Sequence, residues 1–378
     1  MSWPQSNPWI GLYMTKQVPI NSRSVAITGL HRGDNPQPGA SVIMSLRRRF
    51  PGLRILGLSY DPMESSIYCR DNCRLDAVYL LPYPRTGAKA LLERLDAILE
   101  KEKIEFIIPS LDSEIMNFIE VQDALSRRGI RVMLPGKAAF LRRSKENLSM
   151  LCHRLGIPTP ETRAAKDIGE LKKFAEQIGY PVYVKGKYYE AYLVSSEAEL
   201  YSSFEELAEM WGLPVLVQEM ILGEEYDVVG LGDGHGGTIG SCSIRKMLRT
   251  SAGKGFAGVV VADPRIDNLA RRFIRALRWT GPFELEFIKA PGRPHLLFEM
   301  NPRFPAWVDF PSQLGCNLPA RLLERLMGTE ETPLAHCDAG RMFIRHSVDV
   351  LGDISDLAEL ASAGERIGSP LLNFSGRS

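Results

Sequence analysis

The chain has 378 residues, 44% of them hydrophobic and 24% charged, which is the composition of a soluble protein too long for one ordinary core. Its 46 basic and 45 acidic residues leave a formal net charge of +1, so the chain as a whole lacks the basic excess of a nucleic-acid-binding protein. No apolar run reaches the ~18 residues of a membrane span, and the first residues lack the charged and apolar regions of a signal peptide.

The six cysteines are scattered, and Cys69 and Cys73 are the only close pair. No second pair and no nearby histidine complete a zinc-binding pattern, so we interpret the cysteines as buried or surface thiols. We therefore expect a cytoplasmic protein with reduced thiols and with neither a nucleic acid nor a membrane as its partner.

Residues 1–23 show no clear periodicity and are expected to form a loose lead-in. From residue 24 to residue 135, short apolar runs alternate with helical periodicity. The runs typical of buried strands are SVAITGL (24–30), LRILGLSY (53–60) and EFIIPS (105–110), ALLERLDAILEKEKI (90–104) is strongly helical, and ALSRRGIRVMLPG gives a helix end and a further strand. This alternation predicts an α/β domain built on a doubly wound parallel sheet.

Two polar stretches follow predicted strands, at the sheet edge where such folds bind ligands. GLHRGDNPQPG (29–39) contains glycines but does not match the G-x-G-x-x-G pattern, so we do not assign it to dinucleotide binding. Asp112 follows IIPSL in a similar place. It is either a functional carboxylate or the N-cap of the next helix.

A lysine opens the next predicted helix. RRSKENLSMLCHRLGIPTP (142–160) predicts a helix with Ser144 as its N-cap. Lys145 then lies in the first turn, where the helix dipole disfavours a cation. Lys145 is therefore either a solvated surface residue or a lysine held near a phosphate.

A second lysine lies inside a predicted strand. In GYPVYVKGKYYEAYLV (179–194), Val182 and Val184 share one face of the strand, and Tyr183 and Lys185 share the other. A lysine in an otherwise apolar strand needs a partner, so Lys185 is a candidate ligand-binding residue.

Carboxylates concentrate in a predicted hairpin, TGPFELEFIKAPGRPHLLFEMNPRF (280–304). Strand alternation puts Glu299 and Asn301 on one face and points Phe298 and Met300 into the core. Pro302 is expected to end the strand and to leave Arg303 at its tip.

The hairpin also brings two carboxylates together. If its turn centres on residues 292 and 293, Glu286 lies directly opposite Glu299. Two like charges across a strand pair are destabilising unless a cation lies between them, and Mg²⁺ prefers one or two carboxylates together with phosphate oxygens.

Taken together, these segments resemble the ATP-grasp superfamily and, within it, the carbamoyl-phosphate-synthase-like carboxylate–amine ligases. The likeness covers about residues 24–350 and is strongest in VQEMILGEE, which resembles the hinge between the lobes, and in the hairpin ending in E-x-N-P-R. SKENLSMLCHRLGIPTP and PVYVK resemble the two lysine-bearing segments of the family.

The resemblance implies a particular order of domains. An N-terminal doubly wound α/β domain (24–135), known as the pre-ATP-grasp domain, precedes a two-lobed α+β ATP-grasp domain. The small lobe with its linker helix would span 136–212, and the C-terminal lobe 213–350. A C-terminal helix and tail (351–378) would follow, with RMFIRHSVDVLGDISDLAEL packing as a strand and a helix against the ligase lobe.

The resemblance also implies roles for individual residues. Lys145 and Lys185 would contact the ATP phosphates, with Lys185 also near the base. The adenine pocket would be lined by Gln218, Glu219 and Ile221, and the ribose would be bound by Glu225. Mg²⁺, with Mn²⁺ as an alternative, would be held by Glu286, Glu299 and Asn301. Arg303 would stabilise the transferred phosphoryl group. Arg245, in SIRKML, either ends a strand and holds the substrate carboxylate or lies on the surface.

The segment after Lys185 departs from the family. Many members carry a glycine- and serine-rich loop there, whereas this chain has KGKYYEAYLVSS, with one glycine and three aromatic residues. Backbone amides approach a phosphate less freely in such a segment. Either Lys187 and another segment such as SAGKGFAG replace the loop, or closure over the nucleotide differs.

The leading hypothesis is an ATP-dependent ligase that joins a small-molecule carboxylate, such as an amino acid or a peptide, to an amine or a thiol through an acyl phosphate. A non-catalytic or regulatory ATP-binding protein is the alternative, which the altered loop favours and the complete hairpin motif disfavours. A bicarbonate-using enzyme is the third reading, although no biotin-attachment signal is visible. Relatives of this family are commonly homodimers, so a homodimer is expected.

Overall fold

The computed structural model describes residues 20–33, 35–186, 190–250 and 253–368. Most of the expected lead-in lies outside these residues, as do Lys187 to Tyr189 of the altered loop, Ser251 and Ala252, and the tail from residue 369. Within the described ranges, no helix is long and apolar enough to cross a membrane.

The first part of the chain alternates strands and helices. Its elements are β1 (Ser24–Ile27), α1 (Gly39–Arg49), β2 (Arg54–Ser59), β3 (Ala77–Leu80), α2 (Ala88–Leu99), β4 (Phe106–Ile108) and α3 (Asp112–Arg127). The middle part contains α4 (Lys137–Arg142), α5 (Lys145–Leu155), β5 (Thr162–Ala165), α6 (Ile168–Ile178), β6 (Val182–Lys185), β7 (Ala191–Val194), α7 (Glu197–Trp211) and β8 (Val215–Glu219).

The last part is built on long antiparallel strands. Its elements are β9 (Glu224–Asp233), β10 (Thr238–Arg249), β11 (Gly255–Val260), α8 (Pro264–Leu277), β12 (Thr280–Lys289), β13 (Leu296–Asn301), α9 (Asp309–Gln313), α10 (Leu318–Met327), β14 (Met342–Ile344), α11 (Ile354–Ala363) and β15 (Glu365–Ile367). The protein is thus a mixed α/β structure, as predicted.

The first sheet has the strand order β15-β3-β2-β1-β4. Strands β1 to β4 pair in parallel, whereas β15 is antiparallel to β3. Apolar side chains of α1 pack on one face of this sheet, and those of α2 and α3 pack on the other. Helices on both faces of a parallel sheet are the doubly wound arrangement that the sequence predicts.

Two strand predictions in this region were incomplete. The segment IRVMLPG forms no strand, because only Arg131 makes an isolated bridge to Phe106. Conversely, β3 was not predicted, since its four residues AVYL are too short to show a period.

The C-terminal helix lies elsewhere than expected. Strand β14 does join the sheet of long antiparallel strands in the last part of the chain, by pairing with β11. However, α11 packs against β3 and β15, and β15 adds an edge to the N-terminal sheet. The expectation that this helix packs against the ligase lobe is therefore wrong. Arg366 of β15 explains the placement, because it is buried beside Asp356 and donates to the carbonyl of Ile67.

The two antiparallel sheets differ in how they are packed. The four-stranded sheet, of order β5-β8-β6-β7, has a hydrophobic core of its own with α6 and α7. The six-stranded sheet, of order β13-β12-β9-β10-β11-β14, shares its two cores with the N-terminal sheet. The boundaries of the predicted domains stay predictions, but the small sheet is the part with a separate core.

The structure joins Cys69 and Cys73 in a disulfide, with their Cα atoms 5.8 Å apart. For this pair the expectation of reduced thiols is wrong, because the turn between them brings both side chains together in a buried place. Cys152, Cys242, Cys316 and Cys337 are free and buried.

Helix α1 starts very close to the end of β1. A Cβ atom at Gly39 would collide with the backbone oxygens of Thr28 and Gly29, so only glycine fits there. This contact places residues 30–33 and 35–38 at the carboxyl edge of the first sheet, and the carbonyl of Pro36 there accepts a hydrogen bond from Lys254 next to the six-stranded sheet.

Candidate active site

The hairpin of β12 and β13 forms the floor of the candidate site. Glu286 pairs directly with Glu299, and Glu284 pairs with Asn301. The predicted register of the two carboxylates is thus confirmed. Strand β13 ends at Asn301, so Arg303 follows just beyond its tip, as predicted.

A bulge in this hairpin changes the position of Phe298. Glu286 pairs with Glu299, but the next residue, Phe287, pairs with Leu297, so Phe298 has no partner of its own. Met300 is in the core, whereas Phe298 is half-buried and lies under the ammonium of Lys185, 5.7 Å from the ring centre. The prediction that Phe298 points into the core is therefore wrong.

The carboxamide of Asn301 connects two carboxylates. Its Nδ2 atom donates to Glu284 Oε2 at 3.0 Å and to Glu286 Oε1 at 2.8 Å. Glu284 was not among the residues that the sequence implied for this site. The structure adds it to the polar cluster on the hairpin.

Arg303 lies between two elements that are far apart in sequence. Its guanidinium donates to Asp112 Oδ2 at 3.0 Å and to Glu284 Oε2 at 2.6 Å. Burial lowers the pKa of Arg303, but these two carboxylates outweigh it and raise the pKa above the ordinary arginine value. Leu111 occupies the N-cap position of α3, so Asp112 is not the N-cap and instead holds Arg303.

Lys246 forms a second buried charge cluster next to the hairpin. Its ammonium lies 2.5 Å from Glu286, 3.2 Å from Asp227 and 3.3 Å from Glu225, with only 3% of the side chain exposed. Burial lowers the pKa of Lys246, but the three carboxylates outweigh it and raise the pKa well above the ordinary lysine value.

Arg245 does not take the place that the sequence suggested. It lies within β10 rather than at its end, and it pairs with Glu224 on the partly exposed face of the strand. Lys246, the next residue, continues the buried face that Ile244 occupies, so strand alternation turns it toward the carboxylates instead. The hypothesis that Arg245 faces the substrate cleft is wrong in this structure.

A pocket of about 300 Å³ lies between the small sheet and the hairpin. Lys145, Lys185, Gln218 and Phe298 line it, together with apolar and hydroxyl side chains. Burial, reinforced by the charge of Lys145, lowers the pKa of Lys185 to about 8. The two lysines predicted to contact phosphates therefore face one shared space.

The two lysines also affect the ionisation of Glu299 on the hairpin. Lys145 Nζ lies 3.8 Å from Glu299 Oε1. Burial raises the pKa of Glu299, but Lys145 and Lys185 together outweigh this effect and lower it. Ser144 holds the N-cap position before Lys145, yet its hydroxyl accepts from Asn147 Nδ2 rather than from a backbone amide.

Of the other residues predicted to bind the nucleotide, some line this pocket and some do not. The Gln218 side chain donates to Thr162 Oγ1 at 2.9 Å within it. Glu219 turns away and pairs with Arg293, and neither Glu219 nor Ile221 lines the pocket with a side chain. Glu225 faces Lys246 and Arg249. Contacts of these residues with adenine and ribose stay predictions.

A second cleft, of about 360 Å³, is also bordered by the hairpin. Arg303, Glu284 and Glu286 line it, together with Lys254, which directly precedes β11, and Arg345, which directly follows β14. Lys254 was noted in the sequence only as part of the segment SAGKGFAG, and Arg345 was not singled out. The only signal at Arg345 was a basic residue next to a short apolar strand.

The hairpin residues fit a divalent cation that also binds phosphate. Among the described residues, no set of three histidines, cysteines or acidic residues is arranged to hold a metal alone. Mg²⁺, however, takes one or two carboxylates and completes its shell with phosphate oxygens and water. Burial, with the neighbouring Glu284 and Glu299, raises the pKa of Glu286 to about 7 even though Lys246 opposes the change, so this cluster has carboxylate charge to spare for a cation.

No family model matches the chain. Among the curated proteins it is similar to the large chain of carbamoyl phosphate synthase from Saccharolobus solfataricus, with 26% identity over 243 residues, and to that from Sulfolobus acidocaldarius, with 26% over 238 residues. These matches cover 60% and 59% of this chain but 23% and 22% of the relatives, so the chain spans under a quarter of their length.

Several solved structures share the fold. Biotin carboxylase from Campylobacter jejuni, in complex with an ATP analogue, has a TM-score of 0.63 at 17% identity and covers 82% of this chain and 72% of that one. An L-amino acid ligase from Bacillus licheniformis has a TM-score of 0.61 at 15% identity, with 82% and 75% covered. The biotin carboxylase domain dimer of 2-oxoglutarate carboxylase from Hydrogenobacter thermophilus, in complex with MgADP and bicarbonate, has a TM-score of 0.62 at 19% identity, with 82% and 70% covered.

Proposed function

We propose that the chain, which is similar to carbamoyl phosphate synthase large chains and shares its fold with biotin carboxylase, is an ATP-grasp protein and an ATP- and Mg²⁺-dependent ligase that activates a small carboxylate and joins it to an amine. One observation carries the proposal. Six residues, from Phe298 to Arg303, connect the pocket of the two lysines with the cleft that contains Lys254 and Arg345.

The pocket and the cleft have separate tasks in this account. In the pocket, Lys145 and Lys185 bind the phosphates of ATP, and Phe298 and Gln218 border the base. In the cleft, the cationic side chains hold the carboxylate. Arg303 lies where the two meet, so its guanidinium stabilises the phosphoryl group during transfer.

The reaction needs positioning rather than a protein nucleophile. A carboxylate oxygen attacks the γ-phosphorus, the bond to the β–γ bridging oxygen breaks, and ADP leaves with the bonding electrons. The amine then attacks the acyl carbon of the acyl phosphate, and phosphate leaves as the amine loses a proton. Glu286, Glu299 and Asn301, with Glu284 beside them, would hold Mg²⁺, which supplies neutralisation of the phosphate charge.

Trapping with hydroxylamine tests the proposal without knowledge of the natural amine, because hydroxylamine converts an acyl phosphate into a hydroxamate. We expect ADP and hydroxamate in equal amounts when the protein is given MgATP and a panel of small carboxylic acids. Glu299→Gln should abolish both products without changing the melting temperature, since it removes a metal-binding charge and keeps the shape of the side chain.

Two other outcomes are distinguishable in the same assay. ATP binding without ADP release under any condition would favour a regulatory ATP-binding protein. ADP release that requires bicarbonate alone would favour a bicarbonate-using enzyme, a second candidate supported by the small cleft and by the structural neighbour solved with bicarbonate. A homodimer stays a prediction, supported by that neighbour's description as a domain dimer.

A further inference from the structure

The cations that line the second cleft differ in how they are paired. Four cationic side chains border it, namely Lys246, Lys254, Arg303 and Arg345. Lys246 is paired with Asp227, Glu225 and Glu286, and Arg303 is paired with Asp112 and Glu284. The acidic groups of the cleft are therefore already engaged by two of the four cations.

Lys254 and Arg345 are the two cations that remain. Among the described residues, neither has an ion-pair partner. Lys254 Nζ donates to the carbonyl of Pro36 at 3.0 Å, and the Nε atom of Arg345 is buried without a hydrogen-bond partner in the described structure. Both side chains are partly buried, and a partly buried cation without an ion pair is disfavoured unless a ligand pairs with it.

The electrostatic cost is visible in both side chains. Burial, reinforced by the charge of Arg303, lowers the pKa of Lys254 to about 8. Burial likewise lowers the pKa of Arg345 to about 10. Each shift shows that desolvation of the cation exceeds the attraction of nearby carboxylates, so an anion in the cleft would be stabilised by both groups.

Backbone pairing brings the side chains of Lys254 and Arg345 to the same end of the second cleft. Strand β14 pairs with β11, and the backbone amide of Arg345 donates to the carbonyl of Phe256 at 2.9 Å. Phe256 thus lies opposite Arg345. Side chains two residues apart in an extended segment project to the same side, so Lys254 projects to the same side as Phe256 and Arg345. The two side chains come from neighbouring strands and form one end of the cleft.

The walls of the cleft limit its ligand. Pro36, Pro38, Pro305 and the indole of Trp307 form apolar walls between the cationic end and Arg303. A short carbon chain with an anionic group at each end matches this arrangement.

We propose that the acyl substrate is a small dianion, which presents one carboxylate to Arg303 for phosphorylation and has a second anionic group held between Lys254 and Arg345. This inference rests on the proposed ligase function for the role of the first carboxylate. The second group is a carboxylate or a phosphate, because both are bound by the same cation pair.

Direct binding tests the site without requiring turnover. Calorimetry would compare malonate, succinate and glutarate with propanoate, butanoate and pentanoate, which have the same numbers of carbon atoms and one charge less. Phosphoglycolate distinguishes a second phosphate from a second carboxylate. We expect one or more of the dianions to bind at least about tenfold more tightly than its single-charge counterpart.

Two variants connect this binding to the named residues. Arg345→Gln and Lys254→Met should each weaken dianion binding by about tenfold or more and leave MgATP binding unchanged. Arg345→Lys should restore part of the binding, and Lys89→Met, at an exposed site on α2, is the control that should change nothing. Melting temperatures would show that the variants are folded.

The results separate the two proposals. Dianion binding that depends on Arg345 supports the site even if no ADP is released, and then only the ligase function is contradicted. The inference is overturned if monocarboxylates bind as tightly as dianions, if neither class binds, or if both variants bind dianions like the wild type. It is also overturned if bicarbonate alone supports ADP release.

Discussion

At the scale of single residues, Lys246 is the most informative side chain. Its ammonium lies within 3.3 Å of three carboxylates, Glu225, Asp227 and Glu286, in a buried place. Three acidic groups so close together would repel one another or collect a divalent cation. Lys246 supplies the missing positive charge, so metal binding at the hairpin is expected to depend on the nucleotide phosphates.

Replacing this charge should create a metal site. In Lys246→Met the three carboxylates would keep their positions without a counter-charge, so we expect the variant to bind about one Mn²⁺ per chain in the absence of ATP. The number of bound Mn²⁺ ions would be measured from the loss of the electron paramagnetic resonance signal of free Mn²⁺. Lys246→Arg keeps the charge and should bind no more Mn²⁺ than the wild type. A folded methionine variant that also binds no extra Mn²⁺ would contradict this role.

Lys185 makes ATP binding sensitive to pH. Because the pKa of this lysine is lowered to about 8, it loses its proton as the pH rises through that value, whereas an ordinary lysine keeps its proton. Only the protonated form attracts phosphate, so ATP affinity should fall above pH 8 by up to about tenfold per pH unit. Calorimetry between pH 7 and pH 9.5 would measure this, and Lys185→Arg should flatten the profile. A wild-type profile that is already flat would refute the assignment.

Sequence patterns located some site residues and missed others for a physical reason. The step from Glu286 to Glu299 fixed their pairing, because strand register follows directly from spacing in a hairpin. Lys246, Asp227 and Arg345 were missed, since their importance comes from contacts between β9, β10 and β14. Such tertiary contacts leave no periodic signal in one sequence.

At the scale of elements, the hairpin and the C-terminal strand β15 each contain a feature that sequence periodicity could not predict. A bulge moves Phe298 from the core to the side facing Lys185, and alternation cannot foresee the unpaired residue. Strand β15 has only three residues and joins the edge of a sheet whose other strands lie more than 250 residues earlier. The long elements were predicted because their periods are clear over ten or more residues.

The pairing of β15 depends on a buried charge. Arg366 and Asp356 are both almost fully buried, and Arg366 also donates to the carbonyl of Ile67 at 2.7 Å. Arg366→Met would leave Asp356 buried without its counter-charge, so we expect a loss of about 3 kcal/mol in the free energy of unfolding. Urea denaturation would measure this loss. The double variant Arg366→Met with Asp356→Leu should recover part of the loss, and an unchanged single variant would show that β15 contributes little.

At the scale of the whole molecule, the separate core of the small sheet suggests how the nucleotide pocket is assembled. The pocket lies between this sheet and the hairpin, whereas the N-terminal sheet and the six-stranded sheet share their cores. Binding of MgATP should therefore slow amide hydrogen exchange in β6, β8 and the first turn of α5, with little effect in β1 to β4. Equal slowing in β1 to β4 would argue against this account.

The shared cores also explain why the substrate cleft is formed by distant segments. Loop residues near Pro36, the tip of β13 and the end of β14 meet in one place because the first and third sheets pack as a unit. The order of these segments was predicted through the family resemblance. Their meeting point was not, since it depends on packing between sheets.

The central claim is that Mg²⁺ joins ATP to the carboxylates of the hairpin, and calorimetry tests it most directly. ATP would be titrated into the wild type and into Glu299→Gln, each with and without Mg²⁺. The account predicts that Mg²⁺ strengthens ATP binding to the wild type and that this gain is lost in the variant, with an unchanged melting temperature. ATP binding that is indifferent to Mg²⁺, or a variant that keeps the full gain, would contradict it.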